Sequence, residues 1–82
     1  MVEIIKHRVQ TMNQFDKDSC ELVAWVRCDN GRKLVVIIPI MSKEISEMPD
    51  DELLKMFKND ILSEADRAQH DPNTLTAQYV II

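Results

Sequence analysis

The feature of this sequence that most constrains its fold is the pair Asn30-Gly31, which separates two apolar runs rich in β-branched residues. The runs cover residues 20–29 and 32–40, and Gly31 is the only glycine in the chain. An Asn-Gly pair in this setting is typical of a β-hairpin with a type I′ turn, because both central residues of that turn adopt positive φ. The sequence therefore predicts a hairpin closed by a two-residue turn.

A two-residue turn also determines which residues lie opposite each other and which share a face. One face of the predicted hairpin carries Leu22, Ala24, Val26, Val35 and Ile37, and the other carries Val23, Trp25, Leu34, Val36, Ile38 and Ile40. Both faces are apolar, whereas a sheet with one solvated side alternates apolar and polar residues. We therefore expect something to cover each face of this sheet.

The remainder of the chain predicts one helix and two further strands. Residues 2–10 and 74–82 have strand character, residues 11–19 form a polar connection, and residues 50–69 have the apolar spacing of a helix. Residues 42–48 fit a strand extension, a short helical turn or a loop. The expected fold is therefore α+β with the order β-β-β-α-β: a three-stranded antiparallel meander, one long helix and a C-terminal strand, with a single-layer sheet packed on that helix.

The order of the strands depends on Pro39, which lacks a backbone N–H and is typical of an edge strand. Pro39 is expected opposite Leu22, so that the third strand forms an edge of the sheet. The last strand should run parallel to the third after the helix has returned the chain, and the free place for it is beside the first strand. The predicted spatial order is 4-1-2-3.

One helix can shield only one face of this sheet, and a large exposed apolar patch commonly marks an interface. We expect a homodimer through the Trp25 face, because the small side chain of Ala24 permits closer approach of the helix to the other face and homo-oligomers are commonly two-fold. The predicted interface residues are Val23, Trp25, Leu34, Val36 and Ile38. An alternative is that residues 11–19 and 42–48 fold over this face, with Phe15, Ile45 and Met48 as plugs.

Length and composition restrict the class of protein. At 82 residues, with 45% apolar and 29% charged residues, the chain is expected to form a single domain over residues 1–82. No apolar run is long enough to span a membrane, and the first residues do not resemble a signal peptide, so a cytoplasmic location is expected. A net charge of −4 and the absence of basic-aromatic interleaving argue against direct binding of nucleic acid.

The residues capable of chemistry are few. Cys20 and Cys28 fall in one predicted strand, too far apart for a disulfide, and are expected to be free thiols. His7, His70 and the two cysteines lack the spacing of a metal site, and neither a metal nor a cofactor is expected. A Cys–His pair near Cys28 and His7 is retained as an alternative, either for catalysis or for binding a small molecule, although nothing marks an oxyanion hole.

The charges are unevenly distributed along the chain. Residues 42–71 contain four basic and nine acidic side chains, so the helical region is acidic. Much of this is expected to be a solvated helix face with Asp51–Lys55 and Glu64–Arg67 pairs. The sharper hypothesis is that Asp60, Glu64 and Asp66 form an acidic helix face that binds a basic protein partner, as an inhibitor or a mimic of nucleic acid.

These observations predict a non-enzymatic protein-protein interaction module. It is expected to be a sheet-mediated homodimer that presents an acidic helix face to a protein partner. One alternative is a small-molecule binding or catalytic domain with its site near Cys28 and His7. The other is a structural subunit of a larger assembly, which would also account for a sheet with more apolar surface than one helix can cover.

Overall fold

The computed structural model describes residues 2–13, 16–70 and 76–78 of the chain. Its elements are β1 (Glu3–Asn13), β2 (Asp16–Arg27), β3 (Lys33–Ile40), α1 (Lys43–Ser46), α2 (Asp50–Ala68) and β4 (Thr76–Gln78). Strands β1, β2 and β3 form an antiparallel sheet, as expected for an α+β fold of this kind.

Strands β1 and β2 are longer than predicted. Residues 11–13 continue β1 and residues 16–19 begin β2, so most of the expected polar connection is part of an antiparallel hairpin. Polar residues can extend a strand when the neighbouring strand satisfies their backbone hydrogen-bonding groups. The strands therefore do not have to end where the alternation of apolar and polar residues ends. Phe15, one of the predicted plugs, lies outside the described residues.

The hairpin between β2 and β3 is present, but its turn has three residues and not two. The backbone N–H of Cys28 donates to the carbonyl of Arg32 at 2.7 Å, and that of Gly31 donates to the carbonyl of Cys28 at 3.0 Å. Gly31 has a φ of +85°, and no other described residue has a positive φ. The turn is therefore a type I turn followed by a left-handed glycine, and the expected type I′ turn is wrong.

The extra turn residue moves the register of the hairpin by one. Trp25 lies opposite Val35, and Val23 opposite Ile37, where Val36 and Ile38 were expected. A shift of one residue exchanges the faces of one strand relative to the other. Leu34, Val36 and Ile38 therefore share a face with Ala24 and not with Trp25, so the two predicted faces are wrong for β3. The shift also keeps Lys33 on the same side as Arg27, away from the apolar core.

The position of the fourth strand in the sheet also differs from the prediction. The strands follow the order β1-β2-β3-β4, and β4 runs parallel to β3, with Thr76 opposite Val35. The predicted order 4-1-2-3 is wrong, and the rest of the expected strand over residues 74–82 lies outside the described residues. The end of α2 lies at this part of the sheet, because Gln69 contacts Asp29 and Arg32 in the turn between β2 and β3.

Among the described strands, β1 and not β3 is therefore an edge of the sheet, because β4 lies beside β3. Pro39 lies opposite Glu21, not Leu22, and it is two residues beyond the segment of β3 that pairs with β4. The missing N–H of Pro39 therefore does not interrupt the described pairing.

The hydrophobic core lies between one face of the sheet and α2. The helix buries Leu53, Phe57, Ile61 and Ala65, which recur every four residues and so form one stripe along its surface. The sheet contributes Leu22, Ala24, Val26, Val36, Ile38 and Ile40. The helix begins at Asp50 as predicted, directly after Pro49, and the acidic residues of its first turn suit the positive end of the helix dipole.

The segment before α2 contains a short helix. Ser42 caps α1, its hydroxyl accepting a hydrogen bond from the backbone N–H of Ile45 at 3.4 Å. Ile45 and Met48 pack against the same core as α2. They do not cover the opposite face of the sheet, so the alternative in which residues 42–48 act as plugs there is wrong.

Candidate interaction surface

The face of the sheet opposite the core carries an apolar centre with charged surroundings. By strand alternation this surface, called the open face below, comprises Lys6, Arg8, Gln10, Glu21, Val23, Trp25, Arg27, Lys33, Val35, Ile37 and Pro39. In the described part of the chain both helices pack on the other side. Trp25, Val35, Ile37 and Pro39 are half-buried, and Val23 is buried between its neighbours on β1 and β3.

Trp25 is the centre of this surface, and two cations from β1 lie on its ring. The Nζ atom of Lys6 is 4.9 Å from the centre of the ring, and the Cζ atom of Arg8 is 5.7 Å from it. Both distances are within the range of cation–π interactions. The aliphatic parts of these side chains therefore shield part of the indole, while their charged ends keep the open face basic at this edge.

The charges of the open face are joined in a chain of hydrogen bonds. Arg8 Nη2 donates to Gln10 Oε1 at 2.8 Å, and Gln10 Nε2 donates to Glu21 Oε1 at 3.0 Å. At the other end of the strands, Arg27 Nη1 is 3.2 Å from Glu3 Oε1. These contacts order long side chains around the apolar centre, which lowers the entropy that would be lost when a partner packs there.

The residues predicted as an oligomer interface are divided between the two sides of the sheet. Val23 and Trp25 lie on the open face. Leu34, Val36 and Ile38 are completely buried on the helix side, so they cannot contribute to an interface on the open face. The residues of β3 that replace them are Val35 and Ile37, which the two-residue turn had assigned to the other face.

The predicted acidic helix face is also divided. Glu64 is 8% exposed, and its carboxylate contacts the guanidinium of Arg67, as expected for this pair. Asp66 accepts a hydrogen bond from Gln69 Nε2 at 2.8 Å, and Asp60 is half-buried. Positions 60 and 66 are about 120° apart around a helix of 3.6 residues per turn. The three carboxylates therefore do not form one exposed surface for a basic partner.

The proposed Cys–His pair is not formed. His7 lies opposite Ala24, and Cys20 and Cys28 are each four residues from Ala24 along the β2 chain. Four residues of extended chain correspond to about 13 Å. Both cysteines are free and buried. Among the described residues, no group of three or more histidine, cysteine or acidic side chains could hold a metal ion.

The environment of the two thiols favours their protonated form. Burial raises the pKa of Cys20, and the negative charges of Asp50 and Glu21 raise it further. Burial also raises the pKa of Cys28, partly offset by the positive charge of Arg32. Because the thiolate is the reactive form, neither cysteine has the electrostatic setting of a nucleophile.

A groove lies between the free edge of β1 and the helix α2. It encloses about 670 Å³ and is lined by Val2, Glu3, Ile4, Ile5, Lys6, His7, Asp51, Glu52, Leu54, Lys55, Lys58 and Leu62. We call it the β1 groove. The pairing of β1 with β2 shifts by one residue between Ile4 and Lys6, which leaves Ile5 in a β-bulge and 45% exposed.

The sequence did not predict this groove, because the bulge has no signal in the residues around Ile5. Regular alternation along β1 would place Ile4 and Lys6 on the same face. The bulge turns Lys6 to the open face and leaves Ile4 and His7 on the helix side. His7 Nε2 is 3.5 Å from Asp51 Oδ1 at the beginning of α2, so Asp51 faces His7, and its expected pair with Lys55 is not present.

No helix in the described part of the chain is long and apolar enough to cross a membrane. Searches with protein-family models, among curated proteins and among solved structures gave no match for this chain.

Proposed function

We propose that this chain is a non-enzymatic protein-interaction module that forms a homodimer through its open face. The observation that carries this proposal is the apolar centre formed by Trp25, Val35, Ile37 and Pro39, over which neither helix lies. Two copies related by a two-fold axis would place these centres against each other and remove them from water. The pairing of Arg27 with Glu3 reduces the charge that has to be desolvated.

The size of the open face sets the strength expected of this dimer. Four strands span about 19 Å, and the eight residues of β3 extend over about 26 Å. Two such faces in contact bury about 1,000 Å² in total, which is the lower limit for a specific interface. The dimer is therefore expected to be weak and to dissociate on dilution.

The proposal depends on the open face and not on a second, basic partner, because Asp60, Glu64 and Asp66 do not share one exposed surface. A non-enzymatic role is supported by the separation of His7 from the cysteines and by the protonated state that burial favours for both thiols. The two free, buried cysteines support a reducing compartment such as the cytoplasm.

Sedimentation equilibrium over a range of concentrations tests the dimer. Ile37→Glu places a charge in the apolar centre of the open face and should shift the chain to the monomer. Met56→Glu is the matched control, because Met56 is an exposed apolar residue of α2, 49% accessible and on the opposite side. A monomer at every concentration, or equal dissociation of the two variants, would refute the proposal. Circular dichroism should first establish that both variants are folded.

A further inference from the structure

We propose that the β1 groove binds an extended peptide of alternating acidic and apolar residues, which adds to β1 as a further strand of the sheet. This is a second interaction surface, on an edge of the sheet and not on the open face. It therefore neither requires nor excludes the homodimer. The inference is based on the free edge of β1, the apolar lining of the groove and the distribution of its charges.

The edge of β1 can form hydrogen bonds with an added strand. In the described part of the chain β1 pairs with β2 alone, so the backbone groups on its other side have no strand partner. Peptides commonly bind such edges by strand addition, with backbone hydrogen bonds giving affinity and alternate side chains giving specificity. A helix beside the edge, here α2, provides the second wall that holds the peptide.

The groove provides apolar contacts for one set of peptide side chains. Ile4 and Leu54 pack against the core at its base, and Leu62 is half-buried along the helix wall. Ile5 is exposed at the bulge. In an added strand, alternate side chains point to the helix side of the sheet and would cover these residues. Apolar residues are therefore expected at every second position of the peptide.

The charges around the groove favour acidic residues at the peptide positions that alternate with the apolar ones. Lys6 and Arg8 lie on the open face of β1, beside the other set of peptide side chains, and opposite charges in neighbouring strands attract. On the helix wall, Lys55 and Lys58 have no ion-pair partner among the described residues.

The acidic residues of the groove reduce this positive charge without reversing it. Glu3 is paired with Arg27, but Asp51 Oδ1 lies 3.5 Å from His7 Nε2 in a contact that is an ion pair only when the imidazole is protonated. Asp51 and Glu52 therefore stand against the three groove lysines, Lys6, Lys55 and Lys58, although the chain as a whole has a net charge of −4.

The same charges argue against a second copy of this chain at the edge. Antiparallel pairing of two β1 strands around Lys6 and Arg8 would bring the lysine and arginine of both copies side by side on one face. Like charges opposite each other destabilise a pair of strands. An acidic peptide meets no such repulsion, so it is the occupant that the edge favours.

The probe for this proposal is a short, end-capped, fluorescein-labelled peptide of alternating glutamate and valine, followed by fluorescence anisotropy. Wild-type protein should bind it, and added NaCl should weaken the complex, because salt screens exposed charge pairs. The double substitution Lys55→Glu and Lys58→Glu should raise the Kd at least about tenfold. Its control is Lys43→Glu, an exposed lysine that lies outside both the groove and the open face, which should leave the Kd within about twofold.

Two further peptides separate strand addition from other modes of binding. A peptide of the same sequence with alternate N-methylated amides keeps its side chains but loses backbone donors, and it should not bind. A lysine–valine peptide should not bind either. The proposal is wrong if the glutamate–valine peptide fails to bind or if either control peptide binds equally well. In that case, the lysines and the bulge serve only to protect the edge of the sheet from aggregation. Repeating the titration with Ile37→Glu keeps this result independent of the dimer.

Discussion

The side-chain carbonyl of Gln69 accepts a hydrogen bond from the backbone N–H of Asp29 at 3.2 Å, which joins the end of α2 to the turn between β2 and β3. The backbone carbonyl of Gln69 also accepts from Arg32 Nη1 at 3.1 Å, and its amide nitrogen donates to Asp66 at 2.8 Å. Gln69 is 7% exposed. One buried amide thus holds the helix, the hairpin turn and the exit of the chain together.

Replacement of Gln69 by alanine should therefore destabilise the fold. The substitution removes the side-chain acceptor of the part-buried hydrogen bond from Asp29 N–H and the donor to Asp66, and the expected loss in the free energy of unfolding is about 1 kcal/mol. Asn59→Ala, which removes an exposed amide from the same helix, should change it by less than about 0.5 kcal/mol. Urea denaturation measures both. Equal stability of the two variants would show that the side-chain contacts of Gln69 do not contribute to the free energy of unfolding.

Substitution of Gly31 tests the three-residue turn. An added Cβ has no atom within 4 Å, so the cost of Gly31→Ala comes from the φ of +85° and not from a steric clash. We expect a loss of about 1 to 2 kcal/mol in the free energy of unfolding. Gly31→Asn should cost less, because asparagine adopts the left-handed region more readily. Similar losses for the two variants in thermal or urea denaturation would contradict this interpretation.

The cations on Trp25 should be detectable by fluorescence, because Trp25 is the only tryptophan in the chain. Removing the side chains of Lys6 and Arg8 by alanine substitution should expose the indole and increase acrylamide quenching. Lys33→Ala, which removes a lysine from the hairpin end of the same face, should leave quenching unchanged. The measurement belongs at low protein concentration, where the proposed dimer is dissociated. Unchanged quenching in the double variant would show that these cations do not shield the ring.

The raised pKa of the two thiols predicts lower stability at alkaline pH. The pKa of Cys20 and of Cys28 lies above its ordinary value of 9.0 in the folded chain, mainly because both thiols are buried. As the pH rises past 9.0, the unfolded chain loses these protons first, so the free energy of unfolding falls. Below 9.0 the two states hold the same thiol protons, and this contribution is constant.

Urea midpoints measured from neutral to alkaline pH should show this decline in the wild type. The variant with Cys20→Ala and Cys28→Ala should be less stable throughout, because it loses buried volume, but its decline above pH 9.0 should be shallower. If the stability of the wild type and of the variant falls equally with rising pH, the decline is due to other titrating groups. Alkylation of the native thiols at neutral pH should correspondingly be slow and should accelerate on unfolding.

Much of the architecture follows from local patterns in the sequence. The spacing of Leu53, Phe57, Ile61 and Ala65 predicted α2 and its buried side, because an amphipathic helix has a short period that a few residues reveal. Asn30-Gly31 likewise predicted the hairpin between β2 and β3. The smaller side chain of Ala24 favoured its face for contact with the helix, and α2 does pack there.

The register of that hairpin could have been predicted more closely. Asp29-Asn30-Gly31 suits both a two-residue type I′ turn and a three-residue turn that ends in a left-handed glycine. With the two-residue turn, Lys33 would share the helix side with Leu22 and Ala24, which would place its charge beside the core. The three-residue turn keeps Lys33 beside Arg27 on the open face. The cost of burying a charge selects this register.

Other features were decided by tertiary structure alone. The position of β4 depends on where Gln69 anchors the end of α2, and the β1 groove depends on a bulge at Ile5. Glu64 is buried in the folded chain, so its membership of an exposed acidic face could not be judged from helix spacing. Local periodicity determines which elements form and which sides are apolar, whereas contacts between residues far apart in the chain decide how the elements are arranged and which side chains remain available to a partner.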